Sequence, residues 1–111
     1  MDIKVVPKGD GIAVAEMVGD LNLLCAADVR ARLATAVGDG QRHLVVDLGQ
    51  VNFIDSSGLG ALISGLKSAR QAGGDLRIAR PGEQARVVLK LTTLDRVLRP
   101  YESVEDALEG F

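Results

Sequence analysis

Residues 43–60 of the chain read HLVVDLGQVNFIDSSGLG, and this stretch decides the fold class because a strand leads directly into a helix within it. His43–Leu48 is a nearly continuous apolar run of strand length, which is typical of a strand covered on both faces. After Asp55 the apolar residues recur at helical spacing, at Leu59, Leu62, Ile63, Leu66 and Ala69, until Gly73-Gly74 ends the pattern. A buried strand followed by an amphipathic helix indicates an α/β protein.

Upstream of this stretch, the sequence predicts a hairpin and a first helix. Residues 2–6 and 12–18 are rich in β-branched residues and are separated by turn residues at 7–11, and the second strand is expected to end at Gly19-Asp20. Apolar residues at helical spacing then predict a helix over 28–37, which Gly38-Asp39-Gly40 stops.

Downstream, shorter elements alternate. The sequence predicts a strand over 76–79, a third helix from Val87, Val88 and Leu91, a brief final strand at Val97-Leu98, and a last helix capped by Ser103. The predicted order is β-β-α-β-α-β-α-β-α. This order predicts one α/β domain over residues 1–111, with a mixed sheet of an N-terminal β-hairpin and later parallel strands, packed by about four helices.

Composition limits the classes of function. The chain has 111 residues, 25% of them charged, with a formal net charge of −2, and the basic residues are scattered among acids along the sequence. We therefore expect no nucleic-acid partner and no direct membrane insertion. The N-terminus lacks the apolar core of a signal peptide, and the single Cys25 is expected to be a buried or half-buried hydrophobe, so a cytoplasmic protein is predicted.

The segment Asp55-Ser56-Ser57-Gly58-Leu59-Gly60 can be interpreted in two ways. Its carboxylate and hydroxyls could satisfy the unpaired N–H groups of a helix N-terminus, which would make it a well-capped helix start. Alternatively, a seryl hydroxyl there is a phosphorylation site, because a phosphate at a helix N-terminus is favoured by the helix dipole and the free N–H groups. Such a phosphate adds about two negative charges to the surface, so it switches binding rather than folding.

The segment Phe53–Gly60 resembles the signature of the STAS domain, in its anti-sigma factor antagonist branch. Gly19-Asp20-Leu21-Asn22 resembles the Gly-Glu-Leu-Asp turn of that family, and Val45–Leu48 resembles its central strand. Leu94–Leu98 resembles its late helix-to-strand junction. These four matches lie in order along the chain and at natural spacing, and the resemblance runs from about residue 3 to residue 108, so it covers nearly the whole chain.

The resemblance implies a partner switch. In that family the unphosphorylated protein binds a serine kinase that is also an anti-sigma factor, which frees the sigma factor. The kinase then phosphorylates the serine directly after the motif Asp, which is Ser56 here, and the complex dissociates until a phosphatase removes the phosphate. Ser57 is the second choice for the phosphorylated residue and is expected to help cap the helix. The implied partner surface comprises Asp20, Asn22, Asp55, Ser56, Ser57, Gly58, Leu59 and Gly60, with Gly58 and Leu59 packing against the partner.

Other functions fit the sequence less well, so we expect a binding module and not an enzyme. A serine hydrolase would carry Gly-x-Ser-x-Gly, and the single His43 opens a buried strand instead of serving as a general base. Gly58-Leu59-Gly60 lacks the Gly-Lys-Ser/Thr ending of a P-loop, and the ligands for a metal site are missing, so no cofactor and no metal are predicted. The remaining alternative is a constitutive STAS subunit of a larger assembly, such as a transport complex, without phosphorylation.

Overall fold

The computed structural model describes residues 1–111 and contains one sheet of five strands in the order β1-β2-β3-β4-β5. The strands are β1 Asp2–Gly9, β2 Ile12–Leu21, β3 His43–Ile54, β4 Asp75–Ala79 and β5 Pro100–Tyr101. β1 and β2 pair antiparallel, and all later neighbours pair parallel. The predicted mixed sheet, a hairpin followed by parallel strands, is confirmed.

Four α-helices alternate with the strands after the hairpin. They are α1 Leu23–Gly38, α2 Ser56–Gln71, α3 Glu83–Leu91 and α4 Val104–Leu108, and a short 3-10 helix covers Leu94–Arg96. The side chain of Ser103 caps α4, accepting a hydrogen bond from the Asp106 N–H at 3.0 Å, as the sequence predicts. None of these helices combines the length and the apolar character that crossing a bilayer requires.

Helices cover the sheet on both faces, and β3 runs through the middle. Alternate residues of β3, Leu44, Val46 and Leu48, join the main core together with residues of α1, α2 and α3. Val45 points to the other face, where it packs with Val14, Ala79 and Ala107 of α4 in a smaller cluster. The predicted burial of β3 on both faces is therefore confirmed, and the reason is the alternation of side chains along a strand.

Three boundaries differ from the predicted ones. β2 continues to Leu21 instead of ending at Gly19-Asp20, and β3 continues past Leu48 to Ile54, because the two strands stay paired up to Leu21 and Ile54. α1 begins at Leu23, five residues before the predicted start at Asp28, because its N-terminus is capped at Asn22. These extensions lengthen the strands towards the two helix N-termini that follow them.

The last third of the chain contains two further corrections. The final strand is Pro100–Tyr101 and not Val97-Leu98, because the N–H groups of Val97 and Leu98 bond back to the Leu94 carbonyl in a turn. α3 is confirmed, but it buries Ala85 and Leu89 and leaves the predicted Val87 and Leu91 50% and 80% exposed. Of the three apolar residues that indicated the helix, Val88 packs against the core, whereas Val87 and Leu91 face solvent.

Candidate functional site

The candidate site lies where β2 and β3 both end, because parallel strands bring their carboxyl ends to the same edge of a sheet. Each strand is followed at once by a helix, α1 after β2 and α2 after β3. Most of the residues singled out from the sequence meet at this edge. We call this surface the Ser56 edge, and define it by Asp20, Asn22, Leu23, Leu24, Phe53, Asp55, Ser56, Ser57 and Gly60.

Asp55 caps two helices with one carboxylate. Its Oδ1 accepts a hydrogen bond from the Gly58 N–H at 2.8 Å, which caps α2. Its Oδ2 accepts one from the Leu23 N–H at 3.0 Å, which satisfies the first residue of α1. The Asp55 N–H also donates to the Leu21 carbonyl at 3.1 Å. Asp55 therefore holds the ends of β2, α1 and α2 together, and the capping function expected of this segment belongs to it.

Gly58 sets how closely α2 approaches β2. A Cβ at this position would collide with the Leu21 carbonyl oxygen and lie 2.7 Å from its carbonyl carbon. Only glycine allows this approach of helix and strand, because it has no side chain. Leu59 is 3% exposed and belongs to the main core. The expectation that Gly58 and Leu59 pack against a partner is therefore wrong for this conformation, since both are covered by the chain itself.

Asn22 and Cys25 form the N-terminal cap of α1. The Asn22 Oδ1 accepts from the Leu24 N–H at 3.0 Å, and the Asn22 N–H donates to the Cys25 Sγ at 3.4 Å. The thiol in turn donates to the Asp20 carbonyl at 3.3 Å. Cys25 is half-buried, as predicted. Because Asn22 is occupied as a cap, Asp20 is the side chain of this turn that is exposed with no internal hydrogen bond.

Ser56 and Ser57 differ in exposure. Ser56 is the first residue of α2 and is exposed, whereas Ser57 is half-buried. Neither hydroxyl makes a hydrogen bond, so the cap expected of Ser57 is supplied by Asp55 instead. The Asp55 side chain accepts a hydrogen bond from the Gly58 N–H, and the Asp55 carbonyl accepts one from the Leu59 N–H at 2.9 Å. The N–H groups of Ser56 and Ser57 are left as first-turn donors without an acceptor.

Gln84 supports the Ser56 edge from α3, and the sequence offered no signal for it. Its amide oxygen accepts from the Ile54 N–H at 2.9 Å, and its amide nitrogen donates to the Ile54 carbonyl at 2.8 Å. The side chain thus pairs with the end of β3 as a neighbouring strand would. It fixes the residue directly before Asp55 and so helps to position Ser56.

Three large apolar side chains at the Ser56 edge are open to solvent. Leu23 is 71% exposed, Leu24 94% and Phe53 45%. Leu23 is tied to Asp55 through its N–H, and Phe53 pairs with Asp20 across the strands. A group of large exposed apolar side chains at one edge of the fold is typical of a protein-binding surface.

Asp47 and Arg80 form a separate ion pair in the middle of the sheet. The guanidinium donates to both carboxylate oxygens, at 2.9 and 2.8 Å, and the Gly49 N–H adds a third bond at 3.0 Å. Burial alone raises the pKa of the Asp47 carboxyl. The hydrogen bonds from Arg80 and Gly49 and the charge of Arg80 outweigh burial, so the pKa lies below its ordinary value. The pair ties the residue after β4 to β3 and lies apart from the Ser56 edge.

His43 cannot serve Ser56. It is the first residue of β3, and Asp55 follows the last, so the twelve-residue strand separates them by on the order of 30 Å. Its ring packs 5.0 Å from the ring of Phe111. The His43 imidazole therefore packs against Phe111 and lies too far from Ser56 to act on its hydroxyl.

The family model described as the STAS domain matches residues 4–107. The anti-sigma-F factor antagonist RsfB of Mycobacterium tuberculosis is 32% identical over 101 residues, which cover 91% of this chain and 82% of that protein. The Thermotoga neapolitana homologue of TM1081 is 36% identical over 70 residues, which cover 63% of this chain and 62% of that protein.

A solved structure supports the fold. SpoIIAA, described as an anti-sigma factor antagonist in its unphosphorylated form, superposes with a TM-score of 0.83 over 97% of this chain and 94% of its own, at 19% identity. A second structure of SpoIIAA, in the phosphorylated form, gives a TM-score of 0.75 at 18% identity. At these identities the likeness concerns the fold, which is that predicted from the sequence.

Proposed function

This chain belongs to the STAS domain family, and we propose that it acts as an anti-sigma factor antagonist whose partner binding is switched by phosphorylation of Ser56. In the proposed cycle, the unmodified Ser56 edge binds an anti-sigma factor that is also a serine kinase. Phosphorylation of Ser56 ends the complex, and a phosphatase restores it. The protein itself is a binding module and not an enzyme.

The observation that carries the proposal is the state of the Ser56 hydroxyl. It is exposed, makes no hydrogen bond, and belongs to the first residue of a helix whose cap is already supplied by Asp55. A kinase can therefore reach it without unfolding the chain. The free N–H groups of Ser56 and Ser57 and the dipole of α2 favour the resulting phosphate. Modification is thus expected to leave the fold intact.

The surroundings of Ser56 explain why a phosphate would release a partner. Leu23, Leu24 and Phe53 offer apolar contacts, and Asp20 and Asp55 already contribute negative charge. About two further negative charges on Ser56 would lie beside these groups. A partner packed on the apolar residues would have to bury that phosphate, and an unpaired charge in an interface costs roughly 2–5 kcal/mol of binding free energy.

The first experiment determines whether Ser56 is phosphorylated in the cells that produce the protein. The protein is purified from its own cells, and its phosphorylation sites are mapped by mass spectrometry for the wild type and for Ser56→Ala and Ser57→Ala. We expect phosphate on Ser56, unchanged in Ser57→Ala and absent in Ser56→Ala. Phosphate on Ser57 alone would overturn the assignment, and none under any growth condition would favour a constitutive STAS subunit.

The second experiment tests the switch itself. Tagged Ser56→Ala and Ser56→Asp chains are used to co-purify partners, with Ser57→Ala and Ser57→Asp as the matched pair. We expect a kinase-like protein with Ser56→Ala and a roughly thirtyfold or greater loss of affinity with Ser56→Asp, corresponding to about 2 kcal/mol. Equal affinity of the two Ser56 variants would contradict the proposal.

A further inference from the structure

A cleft lined by arginines lies at the amino end of β4, far from Ser56. It is formed by the end of α2, the start of β4 and the segment leading into β5, and its volume is about 110 Å³. We call it the arginine cleft and define it by Arg70, Asp75, Arg77, Arg96, Arg99 and Tyr101. The fold therefore gathers four guanidinium groups and one carboxylate around a small space.

The charges of the chain divide unevenly between this region and the rest. Residues 67–99 hold eight of the 13 lysines and arginines but three of the 15 acids, so the segment carries +5 and the remainder −7. The sequence predicted scattered basic residues, and this prediction is partly wrong, because folding brings the arginines of α2, β4 and the segment before β5 to one place. The cleft lining itself contains four arginines and one aspartate, although the chain as a whole has a net charge of −2.

Two of the four arginines have structural partners. Arg70 pairs with Asp75 at 3.2 Å, and the same Asp75 Oδ1 also accepts from the Leu76 N–H at 2.9 Å. Arg77 donates through one terminal nitrogen to the Ala107 and Glu109 carbonyls, at 3.0 and 2.7 Å. A guanidinium has five N–H donors, so both arginines keep donors that these contacts do not use.

The other two arginines have no acceptor. Neither Arg96 nor Arg99 forms a salt bridge or a side-chain hydrogen bond, and the guanidinium of Arg99 lies 5.7 Å from the ring centre of Tyr101. The guanidinium of Arg77 also lies over the Tyr101 ring, 5.6 Å from its centre. The single carboxylate of the cleft pairs with Arg70 alone, so the positive charges of the four arginines repel one another, and an anion bound among them would relieve that repulsion.

The cleft is open because β5 is short. β5 pairs with β4 only at Ile78 and Ala79, so the first half of β4, Asp75–Arg77, has no strand partner on that side. β4 runs parallel to β3, which places Asp75 at the opposite end of the sheet from Ser56. The cleft is therefore separate from the Ser56 edge, and an occupant need not compete with a partner there.

We propose that the arginine cleft binds a phosphoryl group, either as free phosphate or carried on a small organic molecule. Guanidinium groups match the geometry of phosphate oxygens with paired N–H donors, and a tetrahedral oxyanion fits a space of this size. Arg96 and Arg99 supply the free donors, while Asp75 and the Ala107 and Glu109 carbonyls hold Arg70 and Arg77 in place. The inference does not depend on phosphorylation of Ser56.

The test is a titration of the ¹⁵N-labelled chain, in which binding is monitored by the chemical shifts of the backbone amides. Inorganic phosphate and O-phosphoserine are used as separate probes, and sodium chloride keeps the ionic strength constant. We expect saturable shifts confined to residues 70–77 and 96–101. The double variant Arg96→Gln/Arg99→Gln should bind roughly tenfold or more weakly, because it removes both unpartnered guanidinium groups. Arg30→Gln/Arg42→Gln makes the same change of charge elsewhere and should bind as the wild type does.

Each outcome decides the proposal. Saturation by inorganic phosphate identifies free phosphate as sufficient, and saturation by O-phosphoserine alone identifies a phosphoryl group on an organic carrier. Shifts that do not saturate, that chloride reproduces, or that persist unchanged in Arg96→Gln/Arg99→Gln would overturn it. An amide spectrum of the double variant that is as dispersed as that of the wild type excludes unfolding as the cause.

Discussion

The Ser56 edge and the arginine cleft lie at opposite ends of parallel strands and differ in how far their polar groups are paired by hydrogen bonds. At the Ser56 edge, Asp55, Asn22 and Gln84 make directional hydrogen bonds to named backbone groups, and the hydroxyls of Ser56 and Ser57 make none. In the arginine cleft, the one carboxylate pairs with Arg70 alone, Arg77 bonds to two backbone carbonyls, and Arg96 and Arg99 have no acceptor. At the first surface, hydrogen bonds tie together the chain segments around Ser56, whereas the second holds uncompensated charge.

The largest effect is expected at Gly58. Gly58→Ala places a methyl group against the Leu21 carbonyl, so α2 and β2 must move apart, and the free energy of unfolding should fall by roughly 3 kcal/mol. The measurement is urea unfolding followed by circular dichroism. Gly60→Ala is the matched control, because its Cβ meets nothing nearer than Arg30 Nη2 at 3.9 Å. The control should gain up to about 1 kcal/mol from its higher helix propensity, and an equal loss in both variants would contradict the close approach.

The next effect is expected at Asp55. Asp55→Ala removes the caps of two helices, each worth about 1 kcal/mol, so stability should fall by about 2 kcal/mol. Asp55→Asn keeps one amide oxygen and should lose about half of that. Hydrogen exchange locates the loss, which should raise the exchange rates of both the Leu23 and the Gly58 amides in Asp55→Ala. Unchanged exchange at Leu23 would show that the carboxylate does not hold α1.

A smaller effect is expected at Gln84. Gln84→Leu removes both bonds to Ile54 and should cost about 1 kcal/mol. Gln84→Glu keeps an oxygen to accept from the Ile54 N–H but cannot donate to the Ile54 carbonyl. The Ile54 amide should therefore remain protected from exchange in the glutamate variant and lose protection in the leucine variant. Equal protection in the two would mean that Gln84 does not position the end of β3.

The smallest effect on stability is expected in the arginine cleft. Arg96→Gln/Arg99→Gln should change the free energy of unfolding by no more than about 0.5 kcal/mol, because the two guanidinium groups make no hydrogen bonds. Arg77→Gln is the contrasting variant, since it removes two bonds to carbonyls at the end of the chain and should cost about 1–3 kcal/mol. A large loss in the double variant would mean that Arg96 and Arg99 serve the fold rather than a ligand.

The elements predicted well are those whose burial follows a simple period. The apolar run of β3 and the stripe of α2 predicted a strand covered on both faces and its following helix, and both are confirmed. α3 shows the limit of this approach. Its valines and leucine indicated a helix, but Ala85 and Leu89 are the residues that it buries. Val87 and Leu91 of the predicted stripe face solvent, and only Val88 packs against the core. The period predicts that a helix exists, and its orientation depends on contacts with distant residues.

The sequence by itself determined the order of elements, the mixed sheet and the segment that contains Ser56, because periodicity, turn residues and motif spacing are local properties of the chain. Tertiary structure alone decided that one Asp55 carboxylate caps two helices, that Gly58 and Leu59 are covered, that Gln84 holds Ile54, and that four arginines surround one cleft. Each of these involves residues that are far apart in sequence or a burial that depends on them. Their positions follow from parallel strand pairing, which brings the carboxyl ends of β2 and β3 together and places the amino end of β4 on the opposite side.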